Sequence, residues 1–124
     1  MIQLRTVLNP ADNSGAKKLS VMGIPGRIGK VAHVGQVVKC VVHGAIATGV
    51  VKDKEKVNVL IVRVAKEYCR KDGTYIRFTG NSANAGVVVD NQGLPRGTRV
   101  LGPIAREVKE AGFTKIASLA REVI

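Results

Sequence analysis

Arg96, Arg99 and Arg106 fall within residues 92–106, a stretch with no acid in which Gly93 and Pro95 precede the arginines and Gly97, Gly102 and Pro103 stand between them. A guanidinium is a planar, permanently charged fork that suits phosphate oxygens two at a time. Gly and Pro divide the backbone into tight turns, so this segment predicts neither a long helix nor a central strand. It reads as a rigid basic corner built to lie against an anion. The same chemistry extends to Arg27 and Lys30 in a glycine-marked loop and to Lys52 and Lys54 in another. Lys66, Arg70, Lys71 and Arg77 add to it around an Asp-Gly turn. Together these cations predict phosphate neutralisation from several directions.

Covalent chemistry has no such support. His33 and His43 lie apart, neither Cys40 nor Cys69 stands in a CxxC or beside a His, and the acids are scattered. No local pair suggests general acid–base work, so no enzyme is predicted. The run Gly26-Arg27-Ile28-Gly29-Lys30 lacks the Walker spacing and does not open a helix. No cofactor, metal or small-molecule substrate is expected, and two cysteines fit free thiols in a reducing compartment.

The 124 residues carry 20 Lys+Arg against 9 Asp+Glu, a net charge of +11, with 45% apolar residues. That composition excludes global disorder and allows one domain, residues 1–124, with one real core. The basic excess is present in both halves of the chain, so the folded surface itself is positive and an anionic polymer is the expected partner. No window is long and apolar enough for a membrane span, and residues 1–5 enter a strand-like pattern without a targeting segment.

The elements that must position these cations are mostly strands. Val, Ile and alternation predict strands over residues 3–8, 18–24, 36–46, 57–66, 74–78 and 86–90, the fourth nearly all apolar and so central. Residues 9–15 read as a turn. Short strands at this spacing suggest a small closed barrel, since closure removes unpaired edges. Residues 68–75 form the clearest hairpin, with Asp72-Gly73 favouring a turn of positive φ and a cationic tip at Arg70 and Lys71. Arg63 falls on the cationic side of that alternation. Residues 1–102 therefore hold barrel, ribbon and loops. Residues 103–124 switch to helical period, with Pro103 in a first turn, Ile104, Val108 and Ala111 on one face, Gly112 as a cap, and a second short helix from Thr114.

The nucleic-acid mode narrows by elimination. A single-strand reader stacks bases on interleaved aromatics, and only Tyr68, Tyr75, Phe78 and Phe113 are present. Helix 103–111 alternates in sign, unlike a groove reader. A multi-sided phosphate binder that recognises RNA by shape remains. The alternatives are a free single-stranded nucleic-acid-binding β-barrel protein, and a protein-interaction module whose charge serves solubility.

Several motifs then agree in order along the whole chain: Asp12-Asn13-Ser14-Gly15-Ala16-Lys17, Val62-Arg63, residues 70–78, Asn84-Ala85, Pro95-Arg96-Gly97-Thr98-Arg99 through Glu107, and Lys115-Ile116-Ala117-Ser118-Leu119-Ala120. The chain resembles the large ribosomal subunit protein 14 family, in its bacterial or organellar form. The resemblance implies a mainly β fold, a five-stranded barrel with a projecting β-ribbon and two short C-terminal α-helices. It implies a structural constituent of the large subunit that binds large-subunit rRNA and reaches small-subunit rRNA at an intersubunit bridge. Neighbouring large-subunit proteins 3 and 19 are implied partners. A ribosome silencing factor is another, at Thr98, Arg99 and Lys115. Residues 79–83 replace the family's usual acids with about three extra residues, Arg121 stands where a Pro is usual, and loop 26–34 is atypical. These departures tilt the implied compartment towards a mitochondrial matrix over a bacterial cytoplasm.

Overall fold

In the computed structural model, which describes residues 1–25, 31–80 and 83–124, alternation of burial and strand pairing coincide. Strands β1 (Val7–Pro10), β2 (Ala16–Gly23), β3 (Val37–Ala45) and β4 (Lys56–Arg63) run in sequence. The short strands β5 (Tyr68–Cys69) and β6 (Tyr75–Ile76) form a separate ribbon before β7 (Ala85–Val89). The order β1-β2-β3-β4-β7 closes on itself as a barrel, because β1 pairs β7 in parallel with Pro10 opposite Gly86. The five-stranded barrel expected from the sequence is therefore present.

Period-two burial explains why the barrel holds. Leu19 and Val21 on β2, Val38, Cys40 and Val42 on β3, and Val57, Val59 and Ile61 on β4 point inward and form the interior cluster. Strand β4 is buried along both faces, as its continuous apolar run predicts. Its outward residues Leu60 and Val62, with Val87 and Val89 of β7, meet Val100, Ile104, Val108 and Ile116 in a second core outside the barrel. The C-terminal region therefore packs against the β4–β7 wall, with Val37 of β3 at its edge.

That region departs from the sequence expectation in one respect. Pro103 does not start a helix: Pro103–Ile104 is strand β8, paired in parallel with β9 (Glu122–Val123). The first helix, α1, is only Glu107–Glu110, and Ala111 is exposed rather than on its buried face. Burial of Ile104 is met by a strand, because its partner arrives from residue 123, far along the chain. Gly112 follows α1 with φ +100° and donates its N–H to the Lys109 carbonyl, as a cap should. Helix α2 is Thr114–Leu119, and Thr114 does not cap it through its side chain.

The Asp-Gly hairpin also differs in type. Only Gly73, at φ +90°, takes positive φ, and its N–H bonds to the Arg70 carbonyl. Asp72 accepts from the N–H of Thr74 at 3.0 Å and its hydroxyl at 2.6 Å. This is a type I turn followed by a left-handed glycine, the pattern of the longer hairpin loops.

Candidate nucleic-acid interface

The basic corner is pinned from both sides. Asp90 Oδ1 accepts the N–H groups of Gln92 and Leu94, at 2.8 and 2.9 Å. Asn13 Oδ1 accepts those of Thr98 at 2.8 Å and Arg99 at 3.0 Å, while Asn13 Nδ2 donates to the Thr98 hydroxyl. Asp12, buried beside it, accepts from the Ser14 hydroxyl at 2.7 Å and from the Val88 N–H at 2.9 Å. Burial raises the Asp12 pKa, and these hydrogen bonds pull against it. Residues 12–14, read from sequence as an ordinary turn, are thus the clamp that presents Arg99 to solvent. The signal was available in their polar side chains, but their partners lie more than seventy residues away.

Gly97 is required for a reason other than the one its motif suggests. It does not take positive φ; a Cβ there would lie 2.7 Å from Asn13 Oδ1. The constraint is close approach of the clamp, not left-handed backbone.

The cations separate into two sets. Arg96 turns inward: Nη1 pairs with Glu55 Oε2 at 2.8 Å, and Nη2 donates to the Val50 carbonyl. Arg70 also turns inward, from Nε to Glu107 Oε1 at 2.8 Å, and its Nη2 donates to the Ile124 carbonyl. Tyr68 donates its hydroxyl to the other Glu107 oxygen at 2.9 Å, so the ribbon is docked on α1. Burial, helped by Glu107, pushes the Tyr68 phenol up to about 12. Arg63 is buried at 6% exposure, against its expected cationic face. Its Nη1 donates to the Leu101 and Pro103 carbonyls at 2.9 and 2.7 Å. Burial lowers its pKa, yet a guanidinium stays charged.

Lys52, Lys54, Lys71, Arg77, Arg99, Arg106 and Lys115 are exposed, and none has a side-chain hydrogen bond or ion pair among the described residues. Lys54 holds φ 64°, an uncommon conformation for a residue with a side chain. Lys66 is exposed and pairs with its neighbour Glu67 at 3.0 Å, a contact of little energetic weight. Arg27 and Lys30 lie outside the described residues. A cavity of about 530 Å³ between ribbon and α1 brings Lys71 and Arg106 to one opening. A second groove, about 330 Å³, is lined by Leu94, Pro95, Gly97, Thr98, Lys115 and Leu119, which joins two of the three expected partner-binding residues. Arg99 follows Thr98 on the same turn but does not line that groove.

Outward cations on the strands themselves escaped the sequence reading, which looked to loops. Lys18 on β2, Lys39 on β3 and Lys56 on β4 are all exposed. Their parity, opposite to that of the interior Leu19, Val38 and Val57, was the available signal. Among the described residues no group of three or more His, Cys, Asp or Glu could hold a metal ion.

Comparison with known proteins agrees with this architecture along the full length. The family model described as ribosomal protein L14p/L23e matches residues 1–124. The chain is 53% identical over 124 residues to the large ribosomal subunit protein uL14 of Aquifex aeolicus, covering all of both chains. Its likeness to the proteins of that name from Aquifex pyrophilus and a Hydrogenobaculum species is 52% and 48%, again over the whole of both. These relatives are bacterial, so they give no support to the mitochondrial preference.

Proposed function

Since the chain belongs to the ribosomal protein L14p/L23e family, we propose that it is a structural constituent of the large ribosomal subunit and binds large-subunit rRNA through its basic surface. The observation that carries the rRNA reading is the outward set of cations without internal partners, on a chain of net charge +11. Lys52, Lys54, Lys71, Arg77 and Arg106, with Lys66, Arg27 and Lys30, neutralise phosphates. Arg70 and Arg96 first shape the surface, holding the ribbon and the β3–β4 connection in place. Phosphate contacts of this kind position a protein without reading bases. An aromatic-poor basic surface suits folded RNA better than a stacked single strand.

Small-subunit rRNA at an intersubunit bridge, and large-subunit proteins 3 and 19 as neighbours, belong to the same proposal. A silencing factor would find Thr98 and Lys115 on the walls of one groove and Arg99 at its rim.

Sedimentation of native lysate through a gradient, with and without RNase, tests the reading. Co-migration with the large subunit that collapses after RNase is expected. Migration at the top of the gradient, beside intact ribosomes, would overturn it.

A further inference from the structure

Asp72-Gly73 is the one place in the chain where an Asp or Asn is followed by Gly. Asp12, Asp53 and Asp90 are followed by Asn, Lys and Asn, and every Asn by a residue with a side chain. The pairing has a covalent consequence. The backbone nitrogen after an Asp is close enough in the chain to attack the side-chain carboxyl carbon. Gly, with no Cβ, leaves that nitrogen unshielded and the local backbone free to turn.

The fold puts this pair in the open. Asp72 and Gly73 are exposed at the tip joining β5 to β6, and nothing lies within 4 Å of where a Cβ on Gly73 would stand. The reacting atoms are nevertheless held apart. The Gly73 N–H is turned to the Arg70 carbonyl at 3.0 Å. The Asp72 carboxylate reaches past Gly73, where Oδ1 accepts the Thr74 hydroxyl at 2.6 Å and the Thr74 N–H at 3.0 Å. These bonds, the hydroxyl first, hold the Asp72 carboxyl below the usual carboxylate range, and an ionised carboxylate is a poor electrophile. Asp12, by contrast, is buried against Ser14 and Val88, which leaves no room for a side chain to swing back on its own main chain.

We propose that Asp72 is a modification site, the position at which this chain converts to isoaspartate, and that Thr74 is the residue that holds it unreacted. In the first step the Gly73 nitrogen bonds to Asp72 Cγ. The amide proton and the carboxyl hydroxyl leave as water, and a cyclic imide remains. In the second step a water adds to the main-chain carbonyl carbon of Asp72 and breaks its bond to the Gly73 nitrogen. The main chain then runs through the former side chain, one methylene longer, with a free α-carboxylate beside it. No oxidant or reductant is needed. The product lengthens the turn closed by the Gly73-to-Arg70 bond and by the Arg70 N–H on the Thr74 carbonyl at 2.8 Å, so it shifts Lys71 at the tip. Being exposed, the site is open to an enzyme that recognises isoaspartate.

The test incubates the full chain at neutral pH. Isoaspartate is read by methyl transfer from S-adenosylmethionine with an isoaspartyl methyltransferase and located by peptide mass spectrometry, and thermal melts confirm that each variant is folded. The native wild-type chain should label slowly and at Asp72. Thr74→Val should label about tenfold faster, the lower end of what one hydrogen bond to a charged group contributes. Thr74→Ser, which keeps the hydroxyl, should match the wild type, and Asp72→Glu, which cannot close the same ring, should not label there. Wild-type chain unfolded in urea should label at Asp72 faster than the native chain. Equal rates for the wild type and Thr74→Val would overturn the role of Thr74. Labelling at another aspartate instead, or none at Asp72 even in urea, would overturn the site.

Discussion

Replacing Arg63 by Met should destabilise the whole molecule without touching a surface charge. Arg63 is the buried cation of β4, and its Nη1 donates to two carbonyls of one segment, Leu101 at 2.9 Å and Pro103 at 2.7 Å. A hydrogen bond to a charged group contributes about 1.5–3 kcal/mol. Two that share one nitrogen are not additive, and Met keeps most of the stem packing. Against this, both carbonyls lose a charged donor at a site where Arg63 is 6% exposed. Leaving buried acceptors without their donor typically costs about 1–3 kcal/mol. At ~4 °C per kcal/mol for a domain of this size, Tm should fall by roughly 4–12 °C. Urea titration followed by circular dichroism measures the same loss through the midpoint at constant m. Arg63→Lys should recover part of it, since an ammonium on a shorter reach serves one carbonyl better than two. Gly102, whose added Cβ would lie 2.8 Å from Arg63 Nη1, shows how closely the segment wraps the guanidinium. A loss below about 1 kcal/mol for Arg63→Met would refute the reasoning, because it would mean that the carbonyls find other donors at little cost.

Gly97→Ala should lower stability by about 1–3 kcal/mol through displacement of the Asn13 clamp, as overpacking does elsewhere; a wild-type melting curve would show that the clamp yields freely. A thiol reagent should modify one cysteine per native chain: Cys69 is exposed, whereas Cys40 is buried and its thiol is pushed up to about 12. Rapid modification of both without unfolding would contradict the barrel packing. The Tyr68 phenol is pushed up from 10.0 to about 12, chiefly by burial and then by Glu107. A raised folded-state value means its contribution is complete below pH 10 and is lost as pH rises through about 12. Thermal melts across that window should fall more steeply for the wild type than for Tyr68→Phe, and parallel curves would remove Tyr68 from the ribbon's attachment.

The barrel was legible because burial there follows local period. Alternating Val and Leu on β2 and β3, and the unbroken apolar run of β4, report their surroundings residue by residue. The helical tail was legible only in part. Val108 and Ile116 do face a core, but Ile104 finds it as a strand paired to Val123. A two-residue parallel pair leaves no periodic trace, and residues 103–111 carried a helical pattern that a distant partner overrode.

The site divides along the same line. Composition alone determined that this chain carries a net positive charge, because charge needs no fold to be counted. The order of motifs determined the family. Which cations meet the outside was decided only in three dimensions. Arg96 meets Glu55 across 41 positions and Arg70 meets Glu107 across 37. Arg63 is drawn inside by carbonyls 38 and 40 positions away. Lys39 and Lys56 become diagonal neighbours only when β3 and β4 align in register. An ion pair or a cationic face is a property of distance in space, and barrel closure sets those distances.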